Sequence, residues 1–247
     1  MLELTNVAAF THSKSSNKIN EDSILLPLKL NGGYIFAIAD GVGSYPGAKL
    51  ASELAIEFIS KIEKIPTEIE IDHLLLKIKN KISELELINP EYFQAATTLT
   101  VGVVEKSGVH IIHVGDSRLY IKSEQKLICH TKDHTQHQKL LEAGLYTERQ
   151  LKKMPGKNIL VTALSKSINL EYQYSFHMMK DLIDEQGNLI VNIMSDGAYE
   201  FWEKRPKFSS NTMNNPTAFS TSLLKRIEKN GPLDDYSLIS TKFKIST

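Results

Sequence analysis

Four apolar stretches of this chain each meet an aspartate at one end: Asp40 follows YIFAIA, Asp116 follows HIIHVG, Asp196 follows LIVNIMS, and Asp234 stands just ahead of YSLIST. An adjacent pair, Glu21 and Asp22, precedes SILLPL, a further candidate strand. A carboxylate at the inner end of a buried strand loses hydration worth several kcal/mol unless a cation or hydrogen-bond donors replace the water. If these ends share one rim of a sheet, as many as six carboxylates converge there. Like charges that close raise one another's pKa or drive the group apart, so convergence requires hard cations among them. Oxygen-only ligands select Mg²⁺, Mn²⁺ or Ca²⁺ over zinc or copper. Two such ions a few Å apart can hold a bridging hydroxide for in-line attack on phosphorus. Gly41 and Gly43 fit this picture, since they let the backbone turn tightly after Asp40 and bring a carbonyl toward a metal.

Each acid also has a plainer reading. Asp-Gly at 40 and 196 is a common turn pair. Asp116 fits the corner of a hairpin, and Glu21, Asp22, Asp234 and Asp235 fit solvated loops. Ordered recurrence at the ends of apolar strands is what favours a functional set. A rival metal reading rests on CHTKDHTQH, where Cys129, His130, His134 and His137 have spacings compatible with zinc, although Thr131 stands where a water-activating glutamate would follow the first histidine. The plainer reading of these histidines is a solvated loop face. Cys129 itself lies in the strand-like KLICHT and is expected in the core, with no phosphate-cradling glycines and arginine around it.

Elements that must position the acids are visible in the periodicity. The run from Gly32 reads as a buried strand entering a loop at Asp40. In GAKLASELAIEFISKIEKI, Leu50, Leu54, Phe58 and Ile62 recur every fourth residue, as on one helix face. TEIEIDHLLLKIKNKISELELI predicts a second helix capped by Thr67 after Pro66. From Thr98 the stretches TLTVGVVE, GVHIIHVGD and SRLYIKS predict an antiparallel meander, and later come LIVNIMSD, a helical NPTAFSTSLLKRIEKN and a final strand DYSLISTKFKI. The fold class is therefore α+β, with helices layered on antiparallel sheets. With 247 residues and no repeat, low-complexity tract or Pro/Gly-rich linker, a single domain over 1–247 is expected.

The totals exclude several classes. Lys plus Arg and Asp plus Glu are both 29, so no global field advertises nucleic acid or an anionic membrane as partner. One cysteine rules out an internal disulfide framework, and the N-terminal stretch lacks a basic start followed by an apolar core. No apolar run approaches the roughly 18 residues of a membrane helix, and a cytoplasmic location is expected.

Taken in order, NEDS at 20–23, ADGVGSYPGAKLAS at 39–52, AATTLT at 95–100, VGDSRLY at 114–120, TKDHTQ at 131–136, NILVTALS at 158–165, MSDGAYE at 194–200 and LDDYSLI at 233–239 resemble the motifs of the metal-dependent Ser/Thr protein phosphatases of type 2C, the PPM family, in its compact bacterial form. The resemblance spans nearly the whole chain. It implies two antiparallel β-sheets flanked by helices, an α-β-β-α layering, with a two-metal site holding Mn²⁺ or Mg²⁺ at one end. It implies that Asp40 bridges both metals while Gly41 offers its carbonyl, and that Asp196 and Asp234 hold one ion. Glu21 and Asp22 then serve the other ion directly or through water, and Asp116 joins Asp196 at a third, weaker site. The implied catalytic set is Asp40, Asp196 and Asp234. The implied reaction is attack of a metal-bridging hydroxide on phosphoserine or phosphothreonine, against a counteracting Ser/Thr kinase system, with neither nucleic acid nor membrane as partner.

Departures from the family pattern are specific. Asn17 stands where an arginine usually grips the substrate phosphate, and asparagine lacks both its charge and its bidentate fork; Lys14 and Lys18 are candidates to compensate, although neither matches the motif. His12 replaces a common aspartate, Ser44 a glycine and Thr162 an arginine, while Val42 takes the place of the histidine of animal members. Asn17 keeps an alternative open, a weakly active or inactive regulatory domain that binds phosphoproteins. The retained carboxylates favour the enzyme, because a pure binding module has no need of costly clustered acids. Residues 142–157, EAGLYTERQLKKMPGK, lie where the family has its substrate-facing flap and otherwise read as a mobile solvated loop.

Overall fold

The computed structural model describes residues 1–43 and 45–246. Its strands are β1 (Leu2–His12), β2 (Ser23–Leu30), β3 (Gly33–Ala39), β4 (Ala96–Thr97), β5 (Leu99–Glu105), β6 (Gly108–Val114), β7 (Arg118–Ser123), β8 (Lys126–Cys129), β9 (Leu164–Ser165), β10 (Gln173–Met178), β11 (Asn188–Met194) and β12 (Tyr236–Ile245). Its α-helices are α1 (Ala48–Ser60), α2 (Glu68–Ser83), α3 (Gln136–Glu142), α4 (Glu148–Leu151), α5 (Asp196–Glu203), α6 (Ser210–Met213) and α7 (Pro216–Asn230). One five-stranded sheet has the order β1-β12-β11-β7-β8, the other β10-β6-β5-β3-β2, and β4 pairs with β9 in a small ladder. Every pairing between these strands is antiparallel.

Strand β3 explains why its sequence is an unbroken apolar run. Ile35, Ala37 and Ala39 face α1 and α2, while Phe36 and Ile38 face the other sheet, so both sides of the strand are buried. The layer between the sheets joins these residues to Leu119, Ile121, Val191, Ile193, Ile239 and Phe243. Gly102 makes room there, because a Cβ at that position would stand 2.9 Å from the Phe36 ring. On the outer face of the first sheet, Ala198, Phe201 and Trp202 of α5 pack with Phe219, Leu223 and Ile227 of α7. Two sheets between two helical layers give the α-β-β-α sandwich. Among the described residues no helix is long and apolar enough to cross a membrane.

Thr67 caps α2 as expected and forms a full capping box with Glu70. The buried face of α1 differs from the one its leucines suggest. Ala48, Ala51, Ser52, Ala55 and Ile59 are buried, whereas Leu50 is 37% exposed. Small side chains let the helix axis approach the sheet, and Leu54 and Phe58 fill only its flank. Strand β1 lacks a readable alternation because its register shifts between Leu4 and Asn6. Leu2 and Leu4 enter the layer between the sheets, but Phe10, beyond the shift, packs on the outer face. Pro27 lies in β2 at a second register shift, between Leu25 and Leu28, on an edge strand where a missing N–H is tolerated.

The corrected helix face is measurable by chemical denaturation. Leu50→Ala should cost well under ~1 kcal/mol and Ala55→Leu ~1–3 kcal/mol through overpacking, while Phe36→Ala in the inter-sheet layer should cost ~3–5 kcal/mol. A loss of several kcal/mol on Leu50→Ala would contradict this packing.

Candidate active site

The acids collect where strand ends of both sheets meet. Asp40 directly follows β3 and its peptide is fixed on both sides. Its N–H donates to Thr98 Oγ1 at 3.1 Å, and its carbonyl accepts from the Thr98 N–H at 2.8 Å and Thr97 Oγ1 at 3.0 Å. Gly41 is required by close approach, since a Cβ would lie 2.7 Å from the Glu21 carbonyl oxygen and 2.8 Å from that of Ala48. Gly43 leaves space for a side chain: a Cβ there would stand 2.5 Å from Glu21 Oε2.

Asp22 is the most enclosed of the group. Its Oδ2 accepts from Ser195 Oγ at 2.9 Å and from Ser237 Oγ at 2.6 Å, and the Ser237 N–H donates to Ser195 Oγ at 2.9 Å. Those bonds join the start of β2 to the end of β11 and the start of β12. The other oxygen, Oδ1, is buried without any hydrogen-bond partner.

Asp196 opens α5, where the helix N-terminus favours a negative charge. The next residue presses that helix start onto the turn before β12: a Cβ at Gly197 would stand 2.1 Å from the Asp235 carbonyl oxygen. In that turn Asp234 is exposed and Asp235 buried. Asp235 gathers the loop before β2, accepting from the Lys14 N–H at 2.9 Å on Oδ1 and from the Glu21 N–H at 2.7 Å on Oδ2. Lys14 Nζ donates to Asp234 Oδ1 at 2.8 Å. Asp116 is buried in the bend between β6 and β7, behind Gly115 with φ of 105°. His134 closes this bend, its N–H donating to the Gly115 carbonyl at 2.7 Å and its Nδ1 accepting from the Gly115 N–H at 3.1 Å.

Electrostatics betray the crowding. Burial, then residual charge from Asp235, pushes the Asp22 carboxyl up to about 6 against the lowering bonds from Ser237 and Ser195. Burial and then Asp133 push Asp116 up to about 7, with Arg118 opposing. Asp40 is raised well above the usual range by burial and then by Asp22, Asp196, Asp116 and Asp234. For Asp196 the causes are burial, then Asp116, Asp234 and Asp22. Glu21 is raised by burial and Asp235, while Lys14 opposes. The sequence-derived acids thus form one interacting group. Among the described residues, no three Asp, Glu, His or Cys side chains are drawn together as metal ligands.

The zinc alternative dissolves. His134 Nδ1 is taken by Gly115, His137 Nε2 lies 3.1 Å from the Pro155 carbonyl, His130 stacks edge-on against His177 with centroids 4.5 Å apart, and Cys129 Sγ donates to the Thr131 carbonyl at 3.3 Å. His134 is therefore a structural clasp, not a residue of a solvated face. Cys129 is not in the core either: it is an exposed residue of the edge strand β8, although its thiol turns inward and burial pushes its pKa up. Asn17 is exposed. Thr162 is buried, its Oγ1 accepting from the Glu171 N–H at 2.8 Å and standing 2.9 Å from the Asn169 carbonyl. His12 packs against Phe10 and Tyr236, and the Val42 N–H bonds the Ala96 carbonyl. Ser44 lies outside the described residues. Segment 142–157 is more ordered than a free loop, with a capping box at Thr147 and Gln150, a buried Leu151, and an ion pair from Lys157 to Glu200 of α5.

Ser195 and Ser237 are the site residues that sequence reasoning missed; Asp235 read as a solvated loop and is buried, and Lys14, a candidate to compensate for Asn17, is tied to Asp234 and Asp235. Serines beside SDG and within DDYS carried a faint signal, since each lies next to a site acid in the chain; nothing local marks Asp235 as the buried member of its pair.

Comparison with known proteins concerns the family and the fold. A family model described as Protein phosphatase 2C matches residues 11–230. The serine/threonine phosphatase Stp of Listeria welshimeri is 32% identical over 138 residues, an alignment spanning 53% of this chain and 55% of that protein. The crystal structure of serine/threonine phosphatase Stp1 from Staphylococcus aureus superposes with a TM-score of 0.78 at 20% identity, covering 100% of this chain and 96% of the other. The catalytic domain of the serine/threonine protein phosphatase PstP in complex with two manganese ions gives a TM-score of 0.75 at 20% identity, covering 99% and 100%. With its fold shared and most of its length matched, this chain belongs to the protein phosphatase 2C (PPM) family of Ser/Thr protein phosphatases.

Proposed function

We propose that residues 1–247 form one metal-dependent phosphatase domain that hydrolyses phosphoserine and phosphothreonine in proteins. The observation that carries this reading is Asp22 Oδ1, buried and unpartnered beside the carboxylates of Asp40 and Asp196. An all-oxygen set whose ionised forms are held up by burial and mutual repulsion fits a hard divalent cation, Mn²⁺ or Mg²⁺. Asp40, Asp196 and Asp234, with the Gly41 carbonyl, would hold one pair of ions together with Glu21 and Asp22, and Asp116 would serve a third with Asp196. When bound, such ions acidify water for attack on phosphorus and neutralise the phosphate oxygens.

The chain's own residues do the rest. Ser195 and Ser237 orient Asp22 by donating to Oδ2, which leaves Oδ1 as its free acceptor. Thr97 and Thr98 fix the peptide of Asp40, and Gly197 brings the start of α5 against the turn that carries Asp234. No side chain has to act as a nucleophile, and Cys129 is on the edge strand β8, away from these acids in the sheet order. The expected partners are phosphoproteins and the Ser/Thr kinase that modifies them, in the cytoplasm. A regulatory phosphoprotein-binding domain is the second reading, and the exposed, uncharged Asn17 favours it.

A Mn²⁺-dependent assay on an aryl phosphate and on a phosphothreonine peptide separates the two. Turnover should vanish with chelator and fall at least ~100-fold in Asp196→Ala, the scale of losing several kcal/mol of charge stabilisation. Equal turnover of wild type and Asp196→Ala would refute the enzyme.

Ser237→Ala should weaken Mn²⁺ binding about 10- to 100-fold by calorimetry, the usual effect of removing a residue that orients a ligand.

Stability without metal should have an inverted pH dependence. Asp22 at about 6 and Asp116 at about 7 are raised above the ordinary carboxylate value of 3.8, so the fold favours their protonated forms. Their contribution is complete below the unfolded value and lost as pH rises through 6 to 7. In chelator, the melting temperature should fall between about pH 4 and pH 7, and saturating Mn²⁺ should reverse the slope. A chelated protein that gains stability over that range would refute the crowding described here.

A further inference from the structure

Lys14 is tied to the rim of the acidic group at two points of different strength. Its N–H bonds Asp235 Oδ1 at 2.9 Å, and Asp235 is 6% exposed, so the backbone is anchored. Its ammonium bonds Asp234 Oδ1 at 2.8 Å, but in this pair the side chains are 29% and 52% exposed. An exposed ion pair is weakly held, and a divalent cation offers the same carboxylate twice the charge. Asp234 cannot serve both cations equally. Once displaced, Nζ stays tethered by its fixed backbone at the mouth of the site, near Glu21, Asp234 and Asp235.

Other cations nearby are committed or unanchored. Arg118 is clamped by both oxygens of Asp133 at 2.8 and 2.6 Å and by Glu203, with its guanidinium 4.0 Å from the Tyr199 ring centre. Lys157 is paired with Glu200, and Lys49 points inward to the Asp22 carbonyl and Ser23 Oγ. Lys18 is exposed; its N–H bonds the Ser15 carbonyl at 3.1 Å and its charge reaches Glu21, but among the described residues its ammonium makes no ion pair and nothing ties it to Asp234. Position 17 supplies no charge.

We propose that Lys14 is the phosphate-contacting cation of this site, parked on Asp234 and released toward the phosphate when that carboxylate takes up a metal ion. The inference rests on the phosphatase reading above. It assigns one side chain two linked roles, competitor for the metal and ligand for the phosphate. A lysine suits both, because its compact charge on a flexible stem can change partners where a planar fork would hold one geometry.

Two calorimetric titrations that do not depend on turnover test it, using the full chain. With Mn²⁺ alone, Lys14→Gln should bind about 2- to 5-fold more tightly than wild type, the worth of an exposed ion pair. With Mn²⁺ saturating, the same variant should bind inorganic phosphate at least ~10-fold more weakly, the scale of a charged hydrogen bond. Lys14→Arg should recover most of the phosphate affinity, and Lys18→Gln should stay within about twofold of wild type in both titrations. The opposed signs are diagnostic, since a merely structural loss would weaken both. Unchanged or weaker Mn²⁺ binding in Lys14→Gln overturns the proposal, as does unchanged phosphate binding or a phosphate defect that follows Lys18 instead. A wild-type protein that binds Mn²⁺ and phosphate in this pattern but hydrolyses no phosphopeptide would overturn the phosphatase reading while leaving the assignment of Lys14 standing.

Discussion

The structure is organised around a concentration of negative charge that it cannot neutralise with its own side chains. Burial raises the pKa of Asp22, Asp40, Asp116 and Asp196, and the charges of neighbouring acids add to it, while among the described residues the ion pairs next to the group lie at its border, Lys14 on Asp234 and Arg118 on Asp133. Hydrogen bonds from Ser195 and Ser237 satisfy one oxygen of Asp22 and leave its neighbour bare. A fold selected for stability alone would replace such groups with apolar ones. Retaining them is what the proposed cation-binding role of the site requires.

Neither sheet owns this site. Asp22, Asp40 and Asp116 adjoin β2, β3 and β6 of one sheet, whereas Asp196 and Asp234 adjoin β11 and β12 of the other. The charges therefore meet across the seam of the sandwich, and the apolar layer that fixes the distance between sheets also fixes the distance between carboxylates. Asp22 is the stitch, since it begins in one sheet and accepts from serines at the strand ends of the other.

Much of this was legible beforehand. The acids, their order and the layered α+β fold follow from apolar runs that stop at Asp or start after it, because a buried strand must be apolar and its end must face a loop. Less legible were features set by partners distant in the chain. Which of Asp234 and Asp235 is buried depends on amides at Lys14 and Glu21, more than 200 residues away. The inward face of α1 is chosen by how near its axis can come to the sheet, and a leucine period alone does not encode that distance. Cys129 reads as core because KLIC is apolar, yet an edge strand has only one neighbour to cover it. Strand β1 escaped notice since one shifted residue reverses which side its apolar groups take.

The irregular strand β2 has a bearing on how the molecule behaves in crowded solution. It carries Glu21 and Asp22 at its head and forms an open border of its sheet, with Leu26 51% exposed and Leu28 38% exposed. A flat border of that kind would recruit a strand from another copy. Pro27 removes a donor at the middle of the border, and the local kink between Leu25 and Leu28 turns the remaining donors out of line. The carboxylate-bearing end is thereby guarded against self-association by the backbone itself, in addition to Lys49, whose ammonium bonds the Asp22 carbonyl and Ser23 Oγ.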